Sequence, residues 1–208
     1  MPSLDEIKNA LADLNEDLAL QLVKDALAAK VPAFDVLTAC QNGMTEVGRR
    51  FECQEYFVSD LMMSGEIFKQ ISSILEPELK AGGALTVGKV VFGTVKGDIH
   101  DIGKDIVVNM LKSANIEVID LGVDVPPEKF ISAVKDSGAK VMGMSGLLTL
   151  AFDSMKQTVV ALEAAGLRQS VKVMIGGGPV DGNVCRMVGA DEWGTDAQAA
   201  VRLAKSWM

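Results

Sequence analysis

The second part of the chain alternates between short β-type runs and helical patterns, and this alternation restricts the fold more than any other feature. Five apolar or β-branched runs are separated by segments whose apolar residues recur at helical spacing. The predicted strands cover residues 89–95, 116–121, 140–145, 171–175 and 192–193, and the predicted helices cover residues 102–113, 127–137, 152–165, 180–188 and 196–205. Alternating strands and helices form a parallel sheet with helices on both faces.

The first part of the chain contains helical patterns only. Ser3, with a glutamate three residues later, matches a capping box, and Asn15 is a suitable N-cap for a second helix that reaches residue 29. Pro32 suits the first turn of a third helix, and Ser59 suits the N-cap of a fourth that ends before Pro77. We therefore predict an α plus α/β chain, in which a four-helix bundle precedes a flavodoxin-like or Rossmann-like domain with a five-stranded parallel sheet.

Charge and glycine are distributed unevenly between these two parts. Residues 1–85 contain 14 acidic and 7 basic residues with 5 of the 20 glycines, whereas residues 86–208 contain 14 acidic and 13 basic residues with 15 glycines. Residues 80–88 form a Gly-rich stretch, which we interpret as an interdomain linker. The predicted organisation is a helical cap domain over residues 1–79, this linker, and an α/β domain over residues 89–208.

Several classes of protein are excluded by composition. A net charge of −8 argues against a nucleic-acid-binding surface, which needs a basic stripe. The three cysteines, Cys40, Cys53 and Cys185, are too widely spaced for a disulfide scaffold or a CxxC motif and indicate a reducing compartment. The polar, acidic N-terminal region is no signal peptide, and no apolar stretch is long enough to span a bilayer. We therefore expect a cytoplasmic protein that binds neither nucleic acid nor membrane.

The only histidine of the chain follows the first predicted strand, at the edge of the sheet where α/β domains bind ligands. The loop that contains it reads Gly97, Asp98, Ile99, His100, Asp101, Ile102 and Gly103. A carboxylate two residues before a histidine can accept the proton of one ring nitrogen while the other nitrogen binds a metal. The two glycines allow the loop to leave the sheet and return as a helix.

Other interpretations of this loop are weaker or remain open. Asp98 could hold the histidine for purely structural reasons. A phosphate site is disfavoured because the P-loop pattern is absent and two aspartates would repel an anion. A zinc site made by protein ligands alone usually needs three or four of them, which one histidine without nearby cysteines does not supply. One imidazole suffices where the metal brings its other ligands, as iron or cobalt in a macrocycle does.

Small residues end the third and fourth predicted strands. The third ends in Ser145, Gly146, Leu147, Leu148 and Thr149, and the fourth in Gly176, Gly177, Gly178 and Pro179. Small residues at neighbouring strand ends leave a slot that a bulky ligand could enter. Each run taken alone is equally compatible with an ordinary strand end or turn.

Together and in this order, GDIHDIG, SGL and GG resemble the cobalamin-binding module, whose signatures are D-x-H-x-x-G, S-x-L and G-G. The resemblance implies base-off/His-on cobalamin, in which His100 replaces dimethylbenzimidazole as the lower axial ligand of cobalt. It implies that Asp98 is the hydrogen-bond partner of His100 and that Ser145 is the next link of the same chain. The implied cofactor contacts are the loop from Gly97 to Gly103, Ser145, Leu147, Thr149, Gly176, Gly177 and Gly178.

A helical domain, a Gly-rich linker and this module together are similar to the methylcobalamin-binding half of methionine synthase. They are closer still to the stand-alone corrinoid proteins of methyltransferase systems, and the resemblance covers essentially the whole chain. Residues 55–64 look like the start of the cap helix of that family. Their apolar side chains either cover the upper cobalt face, with Met62 as our candidate, or belong to the bundle core: Tyr56, Phe57, Leu61, Met62 and Met63.

The resemblance implies a methyl carrier that cycles between Co(I) and methyl-Co(III). It implies three partners: a substrate-specific methyltransferase, an acceptor methyltransferase acting on tetrahydrofolate or a thiol, and a reductive activase. Residues 188–194 resemble the corrinoid carriers of O-demethylase systems for methoxylated aromatics more than those of methylamine systems, and methylamine, methanol and glycine betaine systems are the alternatives. An adenosylcobalamin mutase subunit usually lacks the helical cap, and a cobalamin-dependent sensor needs a basic DNA-binding helix that residues 1–85 do not offer.

Overall fold

The computed structural model describes residues 3–82 and 86–208, with the side chains of residues 80–82 excepted. The chain forms two compact units, residues 1–85 and residues 86–208. The described residues form four helices in the first unit and five strands alternating with five helices in the second. The predicted α plus α/β class, with a helical bundle before a five-stranded parallel sheet, is confirmed.

The helical unit consists of α1 (Leu4–Ala12), α2 (Glu16–Ala28), α3 (Ala33–Glu52) and α4 (Val58–Gly82). The capping box at Ser3 is formed, since its hydroxyl accepts the Glu6 N–H at 3.1 Å while the Glu6 carboxylate accepts the Ser3 N–H at 2.7 Å. A close approach of α1 to α3 requires Gly43, because a Cβ atom there would lie 2.8 Å from the Lys8 carbonyl oxygen. The core of this unit is aliphatic and is formed by Ile7, Leu11, Val23, Val36, Met44, Val47, Ile67, Ile71 and Leu75.

Helix α4 differs from its prediction at both ends. It begins at Val58, so Ser59 lies in its first turn, and Asp60 rather than Ser59 accepts a cap hydrogen bond, from the Phe57 N–H at 2.7 Å. The predicted end before Pro77 was wrong, because α4 continues to Gly82. A proline removes one helical hydrogen bond, and here both Pro77 and its would-be acceptor Ser73 are exposed, where water can solvate the freed carbonyl group. Residues 80–82 of the predicted linker are thus helical, and residues 83–85 lie outside the described residues.

The α/β unit contains a five-stranded sheet in the order β2-β1-β3-β4-β5, in which every neighbouring pair is parallel. The strands are β1 (Gly88–Thr94), β2 (Ile116–Asp120), β3 (Val141–Ser145), β4 (Lys172–Gly176) and β5 (Glu192–Gly194). The helices are α5 (Ile102–Ser113), α6 (Pro127–Ser137), α7 (Ala151–Ala164), α8 (Gly182–Val188) and α9 (Ala197–Ser206). The strand order reverses between β1 and β3, which makes their carboxyl ends the expected ligand-binding edge.

The α/β unit buries apolar residues on both faces of its sheet, and one cluster lies on the face covered by α6, α7 and α8. Strand residues such as Val91, Met142 and Val173 pack there against α6, α7 and α8. On the other face α5 packs against α9, and neither helix contributes to this cluster. Helices therefore cover both faces, and the loops at the strand ends are held by packed elements on either side.

Candidate functional site

The loop between β1 and α5 lies at the carboxyl edge of the sheet and carries Asp98 and His100. Gly97 turns the chain at a φ of +84°, a left-handed conformation that glycine adopts without strain. Thr94 Oγ1 donates to the His100 carbonyl oxygen at 2.9 Å. Asp124 donates its N–H to the Asp98 carbonyl oxygen at 3.0 Å and accepts the Gly97 N–H at 2.8 Å. The loop is therefore tied both to the end of β1 and to the loop after β2.

Asp98 is completely buried at the centre of these contacts. Its Oδ1 accepts the His100 N–H at 3.0 Å and lies 2.7 Å from His100 Nδ1, while its Oδ2 accepts the N–H groups of Leu147 at 2.7 Å and Leu148 at 3.0 Å. Burial alone would raise the pKa of Asp98, but the donors from His100, Leu148 and Leu147 outweigh it and lower the pKa to about 2. The carboxylate is therefore ionised at neutral pH, and it joins the loops after β1 and β3.

This arrangement determines the tautomer of His100. An ionised carboxylate can only accept hydrogen bonds, so the contact at 2.7 Å places the ring proton on Nδ1. In the neutral ring Nε2 then carries a lone pair, and it forms no hydrogen bond with the described residues. The side chain is 48% exposed. His100 thus presents one imidazole nitrogen to an external ligand, and its buried carboxylate partner fixes the tautomer and the orientation of the ring.

Large apolar side chains are exposed at the sheet edge that carries His100, on the three loops that follow β1, β2 and β3 and at the first residue of α5. Two of them are far from buried, with Ile99 at 73% and Leu150 at 80% exposed. The others in this group are Ile102, Val123, Leu147 and Leu148. Single exposed apolar residues are common, but six at one sheet edge are typical of a surface that binds a large apolar ligand.

The last residues of four strands form one row of small side chains. Thr94 is in register with Ser145, Ser145 with Gly176, and Gly176 with Gly194. Register partners in a parallel sheet point to the same face, so this row has little side-chain volume beside the His100 loop.

The three consecutive glycines that begin with the last residue of β4 have different roles. Gly177 has a φ of +142°, and a Cβ atom there would lie 1.9 Å from the Gly146 carbonyl oxygen. The close approach of the backbone at Gly177 to the backbone at Gly146 therefore requires glycine at position 177, whether or not a ligand is present. Gly176 is less confined, since its Cβ atom would lie 3.4 Å from the Gly194 carbonyl oxygen, and at Gly178 it would meet only the end of the Leu147 side chain. Of the three, Gly176 best fits the predicted role of leaving space for a ligand.

The predicted hydrogen bond between Asp98 and Ser145 is not formed. Both acceptor positions of Asp98 Oδ2 are taken by backbone N–H groups, and the Ser145 hydroxyl has no hydrogen bond among the described residues. Ser145 is half-buried at the end of β3, and Thr149 is exposed in the following loop. Both residues lie at the same sheet edge as His100, so their predicted contacts with a ligand remain predictions.

The candidate residues around the start of α4 divide into two groups. Leu61 is buried in the bundle core, and the Tyr56 hydroxyl donates to the Ala12 carbonyl oxygen at 2.8 Å, so these two side chains serve the helical unit itself. Phe57, Met62 and Met63 are exposed, at 71%, 48% and 47%. Exposure leaves these three available for contact, and the role of Met62 beside cobalt stays a prediction.

Sequence reasoning missed most of the groups that hold the site together. The N–H groups of Leu147 and Leu148 carry no side-chain signature, and neither Thr94 nor Asp124 belongs to a recognisable motif. Lys104 reads as an ordinary exposed helix residue, yet its side chain is only 4% exposed and its Nζ donates to Asp120 at 2.7 Å. Burial would lower the pKa of Lys104, but Asp105 and Asp120 together raise it, so the ammonium group stays charged and ties α5 to β2.

Among the described residues, no three or more His, Cys, Asp and Glu side chains converge in a way that could hold a metal ion. None of the described helices is both long enough and apolar enough to cross a membrane.

Comparison with known proteins identifies the family. A family model described as a B12 binding domain matches residues 88–202, and a second with the same description matches residues 3–76. The chain is similar to a corrinoid protein of Desulfitobacterium hafniense, with 39% identity covering 98% of this chain and 96% of that protein. A dimethylamine corrinoid protein of Methanosarcina acetivorans is 37% identical, with 97% and 95% covered.

Two solved structures have the same fold over nearly the whole chain. A cobalamin-binding protein from D. hafniense has a TM-score of 0.85 at 41% identity, and 100% of both chains is covered. The methanol:cobalamin methyltransferase complex of Methanosarcina barkeri has a TM-score of 0.84 at 27% identity, with 98% of this chain and 78% of that chain covered. The matched families, the extent of the identity and the shared fold agree with the site, and the chain belongs to the corrinoid, B12-binding proteins of methyltransferase systems.

Proposed function

We propose that this corrinoid protein carries methyl groups for a methylamine methyltransferase system and holds its cobalamin through His100. One observation carries the proposal: His100 is kept in a single tautomer by a fully buried carboxylate, and its Nε2 is left without a partner among the described residues. When bound, the corrinoid cobalt supplies the site at which a methyl group is taken from a donor and passed to an acceptor.

His100 Nε2 is the proposed axial ligand. Asp98 keeps the proton on Nδ1 and, as a buried anion, makes the imidazole a stronger electron donor. Because the donors from Leu147 and Leu148 also hold the carboxylate, it cannot swing away when the ring moves. The Asp98–His100 pair therefore orients the ligand and retains its proton.

The loops and strand ends are the proposed seat of the macrocycle and of its nucleotide tail. Exposed apolar groups such as Ile99, Ile102 and Leu147 can bury their surfaces against the corrin ring, and the hydrophobic contribution is about 25 cal/mol for each Å² removed from water, before the entropic cost of association is subtracted. The remaining loop residues Gly97, Asp101 and Gly103, together with Ser145, Thr149 and Gly176–Gly178, border the same edge. The row of small residues at the strand ends supports the entry of a bulky tail beside the sheet.

A methylamine is the proposed methyl donor. The dimethylamine corrinoid protein of M. acetivorans resembles this chain over nearly its whole length, and this supports methylamines better than the methoxylated aromatics favoured by residues 188–194. Methanol remains the second candidate, because the methanol:cobalamin complex has the same fold at lower identity. The proposed partners are a methylamine-specific methyltransferase, an acceptor methyltransferase acting on tetrahydrofolate or a thiol, and a reductive activase.

Methyl transfer in a reconstituted system tests this proposal. The cobalamin-loaded protein is reduced and mixed in parallel with methylamine-, methanol- and methoxyl-specific methyltransferases and their substrates, and methylation of cobalt is followed by visible absorbance. We expect rapid methylation with a methylamine enzyme and little without any enzyme. Methylation with the methanol or methoxyl enzyme but not with the methylamine enzyme would overturn the proposed donor. Rapid methylation of cobalt without any partner enzyme would overturn the carrier role.

A further inference from the structure

We propose that Thr94 is a positioning residue for the axial ligand, and this inference rests on the proposed role of His100. Thr94 is the last residue of β1 and is completely buried. Its hydroxyl donates to the His100 carbonyl oxygen at 2.9 Å, and this is its only hydrogen bond with the described residues. The hydroxyl therefore connects the sheet directly to the residue that presents Nε2.

The backbone of Thr94 gives this contact a rigid base. The Thr94 N–H donates to the Gly122 carbonyl oxygen at 3.0 Å, and the Val125 N–H donates to the Thr94 carbonyl oxygen at 3.0 Å. β1 also pairs with both β2 and β3, and Thr94 is in register with Ser145. A side chain on such a strand moves little, so its hydroxyl is a fixed reference point for the loop.

Asp98 alone leaves one motion of His100 unrestrained. Both hydrogen bonds between the two residues end on the same carboxylate oxygen, at 3.0 Å from the backbone nitrogen and 2.7 Å from Nδ1. The residue can pivot about that oxygen and keep both bonds. The bond from Thr94 holds the His100 carbonyl group, which lies beyond the Cα atom from the N–H group, so it blocks this pivot and Nε2 keeps one direction relative to the sheet.

Thr94→Val tests the inference because valine has the same shape and lacks the donor. The lost hydrogen bond should weaken coordination of Co(II) cobalamin by His100 by roughly threefold to tenfold. Because Co(I) prefers no axial ligand, weaker coordination of Co(II) raises the Co(II)/Co(I) midpoint potential. A tenfold change in the coordination constant of Co(II) shifts the potential of a one-electron couple by 59 mV, so the expected shift is about 30 to 60 mV to more positive values.

Two control variants separate positioning from general stability. Thr94→Ser keeps the donor and should keep the wild-type potential within about 10 mV, a change of less than about twofold. Thr158→Val removes another buried hydroxyl, which donates to the Ser154 carbonyl oxygen within α7, and should lower stability without changing the potential. If Thr94→Val does not fold, Thr94→Ala removes the same donor without placing a methyl group beside the carbonyl oxygen.

The measurement uses the cobalamin-loaded protein, with electron paramagnetic resonance (EPR) of the Co(II) form beside the potential. A wild-type spectrum without a protein nitrogen ligand would refute the proposed role of His100, independently of Thr94. If the wild type shows that ligand, a wild-type potential in the valine or alanine variant would overturn the inference for Thr94. A positive shift in Thr158→Val of the same size would overturn it as well.

Discussion

Replacing Asp98 by asparagine removes the negative charge at the centre of the site and exchanges one oxygen for an amide NH2 group. The carboxylate accepts four hydrogen bonds, two from His100 and two from the N–H groups of Leu147 and Leu148. The amide can accept on its oxygen only. If the amide oxygen faces the two leucines, the NH2 group faces the two donors of His100, which then lose their acceptor. If the amide oxygen faces His100, the N–H groups of Leu147 and Leu148 lose their acceptor.

The size of the effect follows from these contacts. Each N–H group left unpaired in a buried position costs about 1–3 kcal/mol. The pKa of Asp98 gives a second value for the free energy at this site. Lowering that pKa from 3.8 to about 2 means that the folded protein favours the ionised carboxylate by about 2 kcal/mol, at 1.36 kcal/mol per pKa unit. We therefore expect Asp98→Asn to lower the free energy of unfolding by about 2–4 kcal/mol at pH 7.

Urea unfolding of the cofactor-free protein, followed by tryptophan fluorescence, measures this change. Both tryptophans, Trp193 and Trp207, belong to the α/β unit, so the signal reports the unit that contains Asp98. Asp101→Asn is the matched control, because Asp101 is exposed on the same loop and caps no N–H group. The control should change stability by less than about 0.5 kcal/mol. A loss in Asp98→Asn no larger than in the control would refute the assigned role of the carboxylate.

The difference in free energy of unfolding between wild type and Asp98→Asn should depend on pH. The pKa of Asp98 is lower in the folded protein than in the unfolded chain, so its stabilisation is complete above about pH 4 and is lost as the pH falls toward 2. Asp181 and Asp191 also have lowered pKa values, so their protonation in acid destabilises both proteins. The difference between wild type and Asp98→Asn should therefore narrow from about pH 4 downward, and a difference that stays constant would contradict the assignment.

Two further substitutions test the packing around the site. Gly177→Ala places a Cβ atom 1.9 Å from the Gly146 carbonyl oxygen and should cost more than about 3 kcal/mol, whereas Gly166→Ala, at a φ of +71° with free space around it, should cost about 1 kcal/mol in the same urea assay. Equal losses of unfolding free energy in the two variants would show that the backbone at Gly177 does not lie close to Gly146. Lys104→Met breaks the buried pair with Asp120 and should cost about 2 kcal/mol, less than a fully buried pair because Asp120 is 31% exposed; thermal unfolding that matches wild type would contradict this.

The fold was predictable because its signals are local. Each strand of the α/β unit is a short apolar run followed by a helical pattern, and every predicted strand is present in the structure. The helix at Pro77 was not predictable in the same way, because a proline ends most helices and the exposure that permits it here depends on tertiary packing.

The site was predictable as far as side chains in one motif define it. Asp98 and His100 are two residues apart, and the contact expected between them is formed. The second contact of Asp98 was assigned to Ser145, whereas the N–H groups of Leu147 and Leu148 make it, because any residue supplies a backbone donor once the loop is placed. The identity of the methyl donor leaves no comparable signal in the chain, since the donor is bound by the partner enzyme in the proposed system.

Electron paramagnetic resonance of the Co(II) form tests the central claim most directly. His100 is the only histidine of the chain, so protein labelled with ¹⁵N-histidine reports on a single residue. Axial coordination by His100 predicts a nitrogen splitting that changes pattern with the label and disappears in His100→Ala. A splitting that is unaffected by the label, or that persists in His100→Ala, would show that another nitrogen, such as that of dimethylbenzimidazole, binds the cobalt.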